Sequence, residues 1–310
     1  MNKIIRGFLA FLRRNPALVG IIGVTIALSI ITDSFLSVYN IINVFRQTSI
    51  MAIMGFGMTM VIISGGIDLS VGSVLALSAG VSASVLSGGY AFLGILVALV
   101  VGAAVGAFNG FMITKGKLQP FIVTLATMAI ARSLTLGYMQ GMPISRFPDS
   151  FTFIGRGTVA GIPMPIIILL SIFILSFYIL KKTRLGLYIY SIGGNEEATK
   201  LSGINVGKYK IYVYVISGVF AAVSGMILAG RLNSAQPTFG TGYELDAIAT
   251  VVLGGASLKG GKGTVYGTLF GALLLGIIKN GMNLIGVSPF YQDAVKGAII
   301  LIAVLMERKE

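Results

Sequence analysis

The sequence of residues 51–86 reads MAIMGFGMTMVIISGGIDLSVGSVLALSAGVSASVL, and Asp68 is its one charged residue. Two apolar runs flank a short polar segment at Ser64–Ser73. The paired glycines Gly65 and Gly66 are strong helix breakers, and a new apolar run begins almost directly after them. The stretch therefore predicts two consecutive membrane-spanning helices that are joined by a short irregular break.

The composition extends this interpretation to the whole chain. Of its 310 residues, 55% are apolar and 11% are charged, and the mean hydropathy is +0.93. Soluble domains carry roughly 25% charged residues, so this chain cannot cover a water-exposed surface. We expect the lipid bilayer to be its solvent, and we predict an all-α, polytopic transmembrane helical bundle that forms one domain over residues 1–310.

The residue types that are missing exclude several kinds of chemistry. The chain has no Cys, His or Trp, which excludes disulfides and iron–sulfur clusters and removes the commonest general base and metal ligand. The net charge of +13 comes from basic residues scattered between apolar segments, unlike a nucleic-acid-binding patch. We therefore predict no catalytic residues, no metal site and no nucleic-acid partner.

Apolar stretches predict about ten membrane crossings. They cover residues 17–35, 40–63, 69–86, 92–113, 120–139, 162–180, 211–230, 243–253, 265–282 and 290–305. The segment at 243–253 is short for a full crossing, and we expect a half-helix or a tilted helix shielded by its neighbours. No small-residue cleavage site follows the first stretch, which we interpret as a retained helix rather than a signal peptide.

The distribution of basic residues predicts the orientation. Sixteen of the 23 Lys and Arg residues fall on the side of the N-terminus, four fall within apolar segments, and Arg146, Arg156 and Arg231 fall on the opposite side. Because basic loops stay in the cytoplasm, both termini are predicted to be cytoplasmic. Without a crossing at 243–253, Lys259 and Lys262 would lie outside.

The polar break carries the first candidate residues. Asp68 and Ser70 can accept hydrogen bonds from the free N–H groups at the start of the next helix, which is the role of a capped turn. A carboxylate this close to the bilayer is also a functional candidate, because irregular backbone in a membrane protein often lines a cavity. The two interpretations are compatible, and both stay open.

Further polar residues lie in or beside the apolar segments. Asn43, Arg46 and Gln47 fall within 40–63, and Glu244 and Asp246 open the short segment. An unpaired arginine is costly there, so Arg46 must face a partner or water. Together with Asp68 and Ser70, these five residues are the candidates for a polar path across the bundle.

Two other patterns predict packing rather than chemistry. Asp293 and Lys296 are three residues apart on one helical face, a spacing that favours an ion pair. The glycine spacings of Gly102 to Gly106 and of Gly267 to Gly271 are small-xxx-small patterns, which let two helices approach closely.

The long polar loop at about 181–210 has a helical pattern of its own. A short helix from about Asn195 places Glu196 and Glu197 in its first turn, where acidic residues suit the helix dipole, and Gly203 ends it. The helix is either a solvated connector or a coupling helix that fits a cleft on a cytoplasmic motor protein. The candidate coupling residues are Gly193, Asn195, Glu196, Glu197, Ala198 and Gly203.

The chain resembles one family closely. Gly65–Ser73, GGIDLSVGS, resembles the characteristic motif of the monosaccharide permeases of ATP-binding-cassette importers, of the ribose-permease type. The loop residues Glu197-Ala198-Thr199 and Gly203 are similar to that family's coupling loop. Matching pieces also include Asn109-Gly110, 119–125 (QPFIVTL) and 252–257 (VLGGAS), so the resemblance runs from about Phe35 to the end.

The resemblance implies a transport permease in the cell inner membrane, which is not an enzyme. It implies a second permease copy, usually identical, a cytoplasmic ATPase with two cassettes, and an extracytoplasmic sugar-binding protein. ATP and Mg would belong to the ATPase, so this chain would hold no cofactor. Gly260–Thr264, GGKGT, imitates part of a phosphate-binding loop, but its spacing is wrong.

Several alternatives stay open at this stage. An ion-coupled secondary transporter would use a membrane carboxylate such as Asp68 or Glu244, although the coupling-type loop argues against it. Permeases for nucleosides or branched-chain amino acids have a similar layout but usually lack the Ile67–Val71 run. A structural membrane protein without transport is a third alternative. The sequence does not identify the sugar, since ribose, xylose and galactose-type sugars fit equally well.

Overall fold

The computed structural model describes residues 16–307, which are mainly helical. Its thirteen α-helices are α1 Pro16–Ile31, α2 Val38–Ile63, α3 Val71–Ser87, α4 Ala91–Thr114, α5 Pro120–Tyr138, α6 Asp149–Arg156, α7 Met164–Lys182, α8 Arg184–Gly194, α9 Glu196–Leu201, α10 Val206–Leu232, α11 Tyr243–Leu253, α12 Val265–Leu284 and α13 Pro289–Glu307. Four strands of two residues complete the described part: β1 Ile144–Ser145, β2 Thr158–Val159, β3 Ile162–Pro163 and β4 Ser234–Ala235. The predicted all-α, polytopic class is confirmed, and the basic residues at the two chain ends lie outside the described residues.

Polar side chains begin several of these helices. Ser37, Asn205 and Thr264 precede α2, α10 and α12, and the side-chain oxygen of each accepts a hydrogen bond from the backbone N–H three residues later. Pro120 opens α5, where its missing N–H costs nothing. These caps satisfy backbone donors that have no partner within the helix, so short polar segments mark the helix starts in an apolar sequence.

Helix α2 forms the centre of the bundle. Most of its 26 residues are buried, including every residue from Ala52 to Ile63. It packs against α10, α12, α7 and α11. Large apolar side chains on α1, α4, α5 and α7 are instead exposed at the outside of the protomer, as expected for surfaces that face lipid or another subunit.

Glycines bring the helices into backbone contact, as their spacing predicts. Gly102 and Gly106 of α4 lie against the backbone of α10 around Tyr214 and Gly218. Gly267 and Gly271 of α12 lie in the same way against the backbone of α11. A methyl group at any of these four glycines would collide with the neighbouring helix, so the small-xxx-small patterns serve packing.

Six of the described helices are long and apolar enough to cross a membrane: α2, α4, α5, α7, α10 and α12. Helices α1 and α3 are apolar but shorter. Helix α11 has the bounds predicted for the short segment, 243–253. Its 11 residues cover about 16 Å, roughly half of a 30 Å hydrocarbon core, so α11 is a half-length helix.

The segment between α5 and α7 contains short regular elements of its own. Strand β1 pairs antiparallel with β4, with Ile144 opposite Ala235, and β2 pairs with β3. Helix α6 lies between them and packs on the end of α10, where the Arg156 Nε donates to the Arg231 carbonyl over 2.7 Å. We call this region, defined by β1 and β4, the sheet end. The opposite region, defined by Ile63, Gly193 and Gly261, is the α9 end.

Candidate functional site

The break between α2 and α3 is organised around a buried carboxylate. Asp68 is 1% exposed. Its Oδ1 accepts hydrogen bonds from the backbone N–H and the hydroxyl of Ser70, over 3.0 and 2.6 Å, and its Oδ2 accepts one from Ser217 over 2.8 Å. Asp68 therefore binds the N–H of Ser70, the residue just before α3, whereas the Ser70 hydroxyl donates to Asp68 and does not cap the helix. The carboxylate also joins the break to α10.

The same network reaches two more helices. The Asn109 side-chain amide of α4 donates to the Ser70 Oγ over 2.9 Å, and the Thr127 hydroxyl of α5 donates to the Asn109 Oδ1 over 2.6 Å. All of these side chains are buried within one protomer. Sequence reasoning singled out Asp68 and Ser70 but missed Ser217 and Thr127, because single hydroxyl residues in apolar helices carry no distinctive pattern.

A second polar cluster lies in the sheet-end half of the bundle and encloses a cavity of about 120 Å³. Three of the predicted path residues belong to this cluster. Gln47 and Asp246 line the cavity. The third is Asn43, whose Oδ1 accepts a hydrogen bond of 3.1 Å from the guanidinium of Arg231, another lining residue. The lining residues are Gln47, Thr48, Ile50, Met51, Leu228, Arg231, Tyr243, Asp246, Thr250, Leu275, Gly276, Ile278, Lys279, Met282 and Lys296.

One basic residue of this cluster lies elsewhere than predicted, and another makes the predicted contact and one more. Arg231 was assigned to a loop on the opposite side from the N-terminus, but it lies in the last turn of α10 and lines the cavity. Lys296 forms the predicted pair with Asp293, over 2.8 Å, and also binds Asp246 over 3.1 Å. The ion pair thus extends from α13 to α11, a contact that the spacing along one helix could not indicate.

The remaining two path candidates lie apart from the cavity lining. Arg46 was predicted to face a partner or water, and its buried Nε has no hydrogen-bond partner among the described residues. Glu244 lies beside Gly72 at the start of α3 and is not part of the cavity lining. Near it, the Arg132 guanidinium donates two hydrogen bonds of 2.7 Å, to the carbonyls of Pro237 and Phe239.

The predicted coupling helix is present as α9. The Asn195 Oδ1 accepts a hydrogen bond from the Ala198 N–H over 2.9 Å, and Gly203, with φ +82°, follows the helix end. Glu196 forms an ion pair with Lys210 over 2.6 Å, whereas Glu197 is exposed. The predicted residues therefore share one short surface segment, beside a cleft of about 710 Å³.

Gly193, at the end of α8, connects this segment to the centre of the bundle. Its Cα lies against the Ile63 carbonyl and the Gly261 N–H, which hydrogen-bond each other over 2.8 Å. On the same helix, the Tyr190 hydroxyl donates to the Gly263 carbonyl over 2.7 Å, and burial raises the pKa of this phenol, so it stays neutral at physiological pH. The end of α8, the end of α2 and the loop before α12 thus meet at one point.

No group of three His, Cys, Asp or Glu side chains that could hold a metal ion is present among residues 16–307. The polar side chains around Asp68, beside the cavity and at the α9 end bind and position one another.

Comparison with known proteins agrees with this arrangement. Residues 40–304 match the family described as branched-chain amino acid transport system / permease component. The chain is 48% identical to the ribose import permease protein RbsC of Escherichia coli, over 97% of this chain and 95% of the relative, and 50% identical to RbsC of Bacillus subtilis, over 94% and 91%. It is 38% identical to the D-allose transport system permease protein AlsC of Escherichia coli, over 90% and 86%.

No solved structure matches the chain. The family match covers most of the sequence, and the relatives match over nearly their full lengths. The resemblance to ribose-type permeases that the GGIDLSVGS motif indicated is therefore confirmed. The chain belongs to this family of permease components, as a multi-pass inner-membrane subunit of an ATP-binding-cassette importer and not as an enzyme.

Proposed function

We propose that the chain carries a simple sugar, with D-ribose as the first candidate, into the cell when a separate ATPase hydrolyses ATP. The observation that carries this proposal is the near full-length similarity to permeases named for ribose import. The cavity supports it because its wall includes the polar side chains of Gln47, Arg231 and Asp246, and a hydroxylated solute needs hydrogen-bonding groups along its path. Similarity to the D-allose permease leaves a second sugar to be tested.

The subunit works within a larger assembly. A permease of this kind needs a cytoplasmic ATPase and an extracytoplasmic binding protein. We assign ATP and Mg to the ATPase, and we propose that two identical copies of this chain form the membrane part. The mass of the detergent-solubilised complex tests the last point: two permease chains of one sequence support it, and two different permeases contradict it.

We propose ten crossings with both termini in the cytoplasm, so residues 1–310 form one transmembrane domain whose α9 end, with the loop at about 181–210, faces the ATPase. The cysteine-free sequence permits a direct test with single substitutions. An impermeant maleimide added to intact cells should label Asp149→Cys, on α6, but not Lys200→Cys or Lys259→Cys. Labelling of Lys259→Cys from outside would show that α11 does not complete a crossing.

We assign coupling to α9 and its flanks, with Gly193, Asn195, Glu196, Glu197, Ala198 and Gly203 as the contact segment. The support is geometric, because this segment is exposed on one side and meets the end of α2 on the other through Gly193. A movement that the ATPase imposes on α9 would therefore be transmitted to α2 and to the loop before α12 by direct backbone contacts at Gly193.

We propose a division of roles among the seven path candidates. Asn43, Gln47 and Asp246, with Arg46 near them on α2, form the polar path around the cavity. Asp68 and Ser70 hold the α2–α3 break in place from within the protomer, and Glu244 stabilises the contact between α3 and the segment before α11.

Uptake into proteoliposomes tests the proposal. The vesicles would contain this chain, the ATPase that co-purifies with it, and the binding protein, with labelled D-ribose outside and ATP inside. We expect uptake that requires all three components and survives a protonophore. Uptake that a protonophore abolishes at intact ATP would indicate ion coupling instead, and ATP hydrolysis stimulated by the binding protein without D-ribose uptake would reject this sugar.

A further inference from the structure

The cleft beside α9 lies where three long apolar helices reach the membrane surface. Its volume of about 710 Å³ falls within the roughly 300–1,000 Å³ of small-molecule sites. Its wall includes residues at the end of α4, at the start of α5 and at the start of α10, and all three helices are long and apolar enough to cross a membrane. The cleft is therefore at the depth of the lipid headgroups, and Glu196 and Lys200 of α9 form part of its wall.

The charged residues in the wall of the cleft are mostly basic. They are three lysines and one glutamate, Lys117, Lys200, Lys210 and Glu196, which leaves an excess of two positive charges. Glu196 pairs with Lys210 over 2.6 Å, whereas Lys117 and Lys200 are exposed and form no ion pair within the described part of the chain. The N-termini of α5 and α10 lie at the same cleft, and helix N-termini carry partial positive charge. The cleft therefore favours an anionic ligand.

The apolar residues of the wall continue into an exposed apolar surface. Ile113, Leu118 and Pro120 line the cleft, and Phe121 and Ile122, which follow on α5, are exposed. Helix α5 packs against α3 and α4, and its other face is not covered by the rest of the protomer. A soluble anion would use only the basic end of this surface. A phospholipid uses both parts, because its charged headgroup is joined to acyl chains, and basic pockets between membrane helices bind such headgroups.

We propose that one anionic phospholipid binds in this cleft on each permease subunit, with its headgroup on Lys117 and Lys200 and its acyl chains along α5. The headgroup connects α9 to the loop between α4 and α5. The proposal goes beyond sugar import and requires only that the chain spans a membrane. A lysine near a membrane surface contributes about fivefold to the binding of an anionic lipid, so the two free lysines together should contribute about 25-fold.

A single tryptophan can report on the lipid beside one chosen position, because the chain has no Trp of its own. Phe121→Trp places this reporter beside the cleft. Phe92→Trp places it at an exposed position in the first turn of α4, at the other end of that helix from the cleft. The whole chain is reconstituted in phosphatidylcholine vesicles with a minor fraction of phosphatidylglycerol. Bromine on either lipid quenches a nearby tryptophan, so the two quenching values give the local preference between the lipids.

The preference for phosphatidylglycerol should be local and should depend on the two free lysines. We expect a preference of about 25-fold at Phe121→Trp and of less than about twofold at Phe92→Trp. In the Phe121→Trp background, Lys117→Gln with Lys200→Gln should lower the preference to less than about twofold. The melting temperature should not change, because substitutions of exposed residues without specific contacts have little effect on stability.

A matched control removes the same charge elsewhere at the same end of the bundle. Lys181→Gln with Lys182→Gln substitutes two exposed lysines at the end of α7, outside the cleft lining. In the Phe121→Trp background this pair should keep the preference within about twofold of the unsubstituted reporter, because the headgroup contacts are intact and a more distant charge is screened by salt.

Several results would overturn the lipid site. Equal quenching by the two lipids at Phe121→Trp would show no selection, and no quenching by either lipid would show that another subunit covers this face. An equal loss of preference in both lysine pairs would indicate a general surface potential instead of a site. If Lys117→Gln with Lys200→Gln keeps the lipid preference but loses the ATPase on co-purification, the cleft binds the ATPase. None of these results bears on sugar import, which the uptake of labelled D-ribose tests separately.

Discussion

The Ser217 hydroxyl donates a hydrogen bond of 2.8 Å to the Asp68 carboxylate, although 149 residues separate the two along the chain. Ser217 lies in α10 and Asp68 lies in the break before α3, so this bond joins the most characteristic motif of the sequence to the longest helix. The carboxylate accepts three hydrogen bonds in all and is buried. Buried carboxylates are stable only when such partners are present.

We predict that Ser217→Ala destabilises the protein by about 1–3 kcal/mol, because it leaves one oxygen of a buried carboxylate without a partner. The apparent melting temperature of the purified subunit checks this. Ser224→Ala is the control on the same helix, since Ser224 donates to the backbone carbonyl of Ile50, a neutral acceptor, and its loss should cost less, about 0.5–1.5 kcal/mol.

Uptake by the same variant separates the two roles that the sequence left open for Asp68. If Asp68 holds the break in place, uptake per folded complex in Ser217→Ala stays within about twofold of wild type, since a loss of about 1–3 kcal/mol changes the folded fraction and not the path. A large loss of uptake at an unchanged melting temperature would contradict the proposed division of roles and would indicate that Asp68 belongs to the transport pathway.

We predict that Gly193→Ala impairs coupling, whereas Gly194→Ala does not. A Cβ on Gly193 would collide with the backbone of Ile63 and Gly261, but a Cβ on Gly194 meets open space. Relieving the collision must move α8 away from the end of α2, at a cost of about 1–3 kcal/mol. The measurement is ATP hydrolysis and uptake by the reconstituted complex, in which Gly193→Ala should hydrolyse ATP with little uptake. Normal uptake by both variants would show that this contact does not transmit the movement of the ATPase.

The helix bounds were largely predictable, because the length of an apolar stretch and the positions of helix-breaking glycines can be read from the local sequence. The bounds of α11 follow from the short apolar segment at 243–253, and α9 follows from Asn195 and Gly203, which begin and end it in the structure as in the prediction. The glycine patterns on α4 and α12 also indicated real contacts, since backbone proximity requires a small residue wherever two helices touch.

The partners of the polar groups were not predictable. Arg231 falls near the end of an apolar stretch, and only the packing of α10 against α2 places it at a cavity rather than in a loop. Likewise, the sequence placed Asp246 at the start of the short segment without indicating a partner for it, and in the structure Asp246 pairs with Lys296 from α13. Such contacts depend on how helices distant in sequence are arranged, which no local pattern encodes.

We predict that Glu197→Lys weakens the binding of the ATPase by about tenfold, because it reverses a charge at the proposed contact surface. Glu197 is exposed and its carboxylate forms no ion pair among the described residues. Asp149→Lys is the control, since it reverses the charge of another exposed carboxylate, which lies on α6 at the sheet end and outside the proposed contact segment. Co-purification of the ATPase at graded salt measures both. If Glu197→Lys and wild type recover the same amount of ATPase, Glu197 does not take part in the contact.

We predict that Arg132→Gln loosens the irregular segment at 236–242, which precedes the half-length helix α11. The Arg132 guanidinium donates to the carbonyls of Pro237 and Phe239 over 2.7 Å each, and these carbonyls lie where regular helical partners are missing. Irregular backbone inside a membrane protein must have such partners. Their loss should cost about 1–3 kcal/mol and raise the rate of amide hydrogen exchange within 236–242, measured by mass spectrometry in nanodiscs.

Two further variants define what Arg132 contributes. Arg132→Lys keeps the charge but replaces a planar group that reaches two carbonyls with a single ammonium, so its exchange rate should lie between those of wild type and Arg132→Gln. Arg146→Gln removes an exposed arginine at the sheet end and should leave the exchange unchanged. If Arg132→Lys behaves as wild type, charge alone holds the segment. If Arg132→Gln exchanges as slowly as wild type, packing holds the segment at 236–242, for example through the close approach of Gly240 to Gly72.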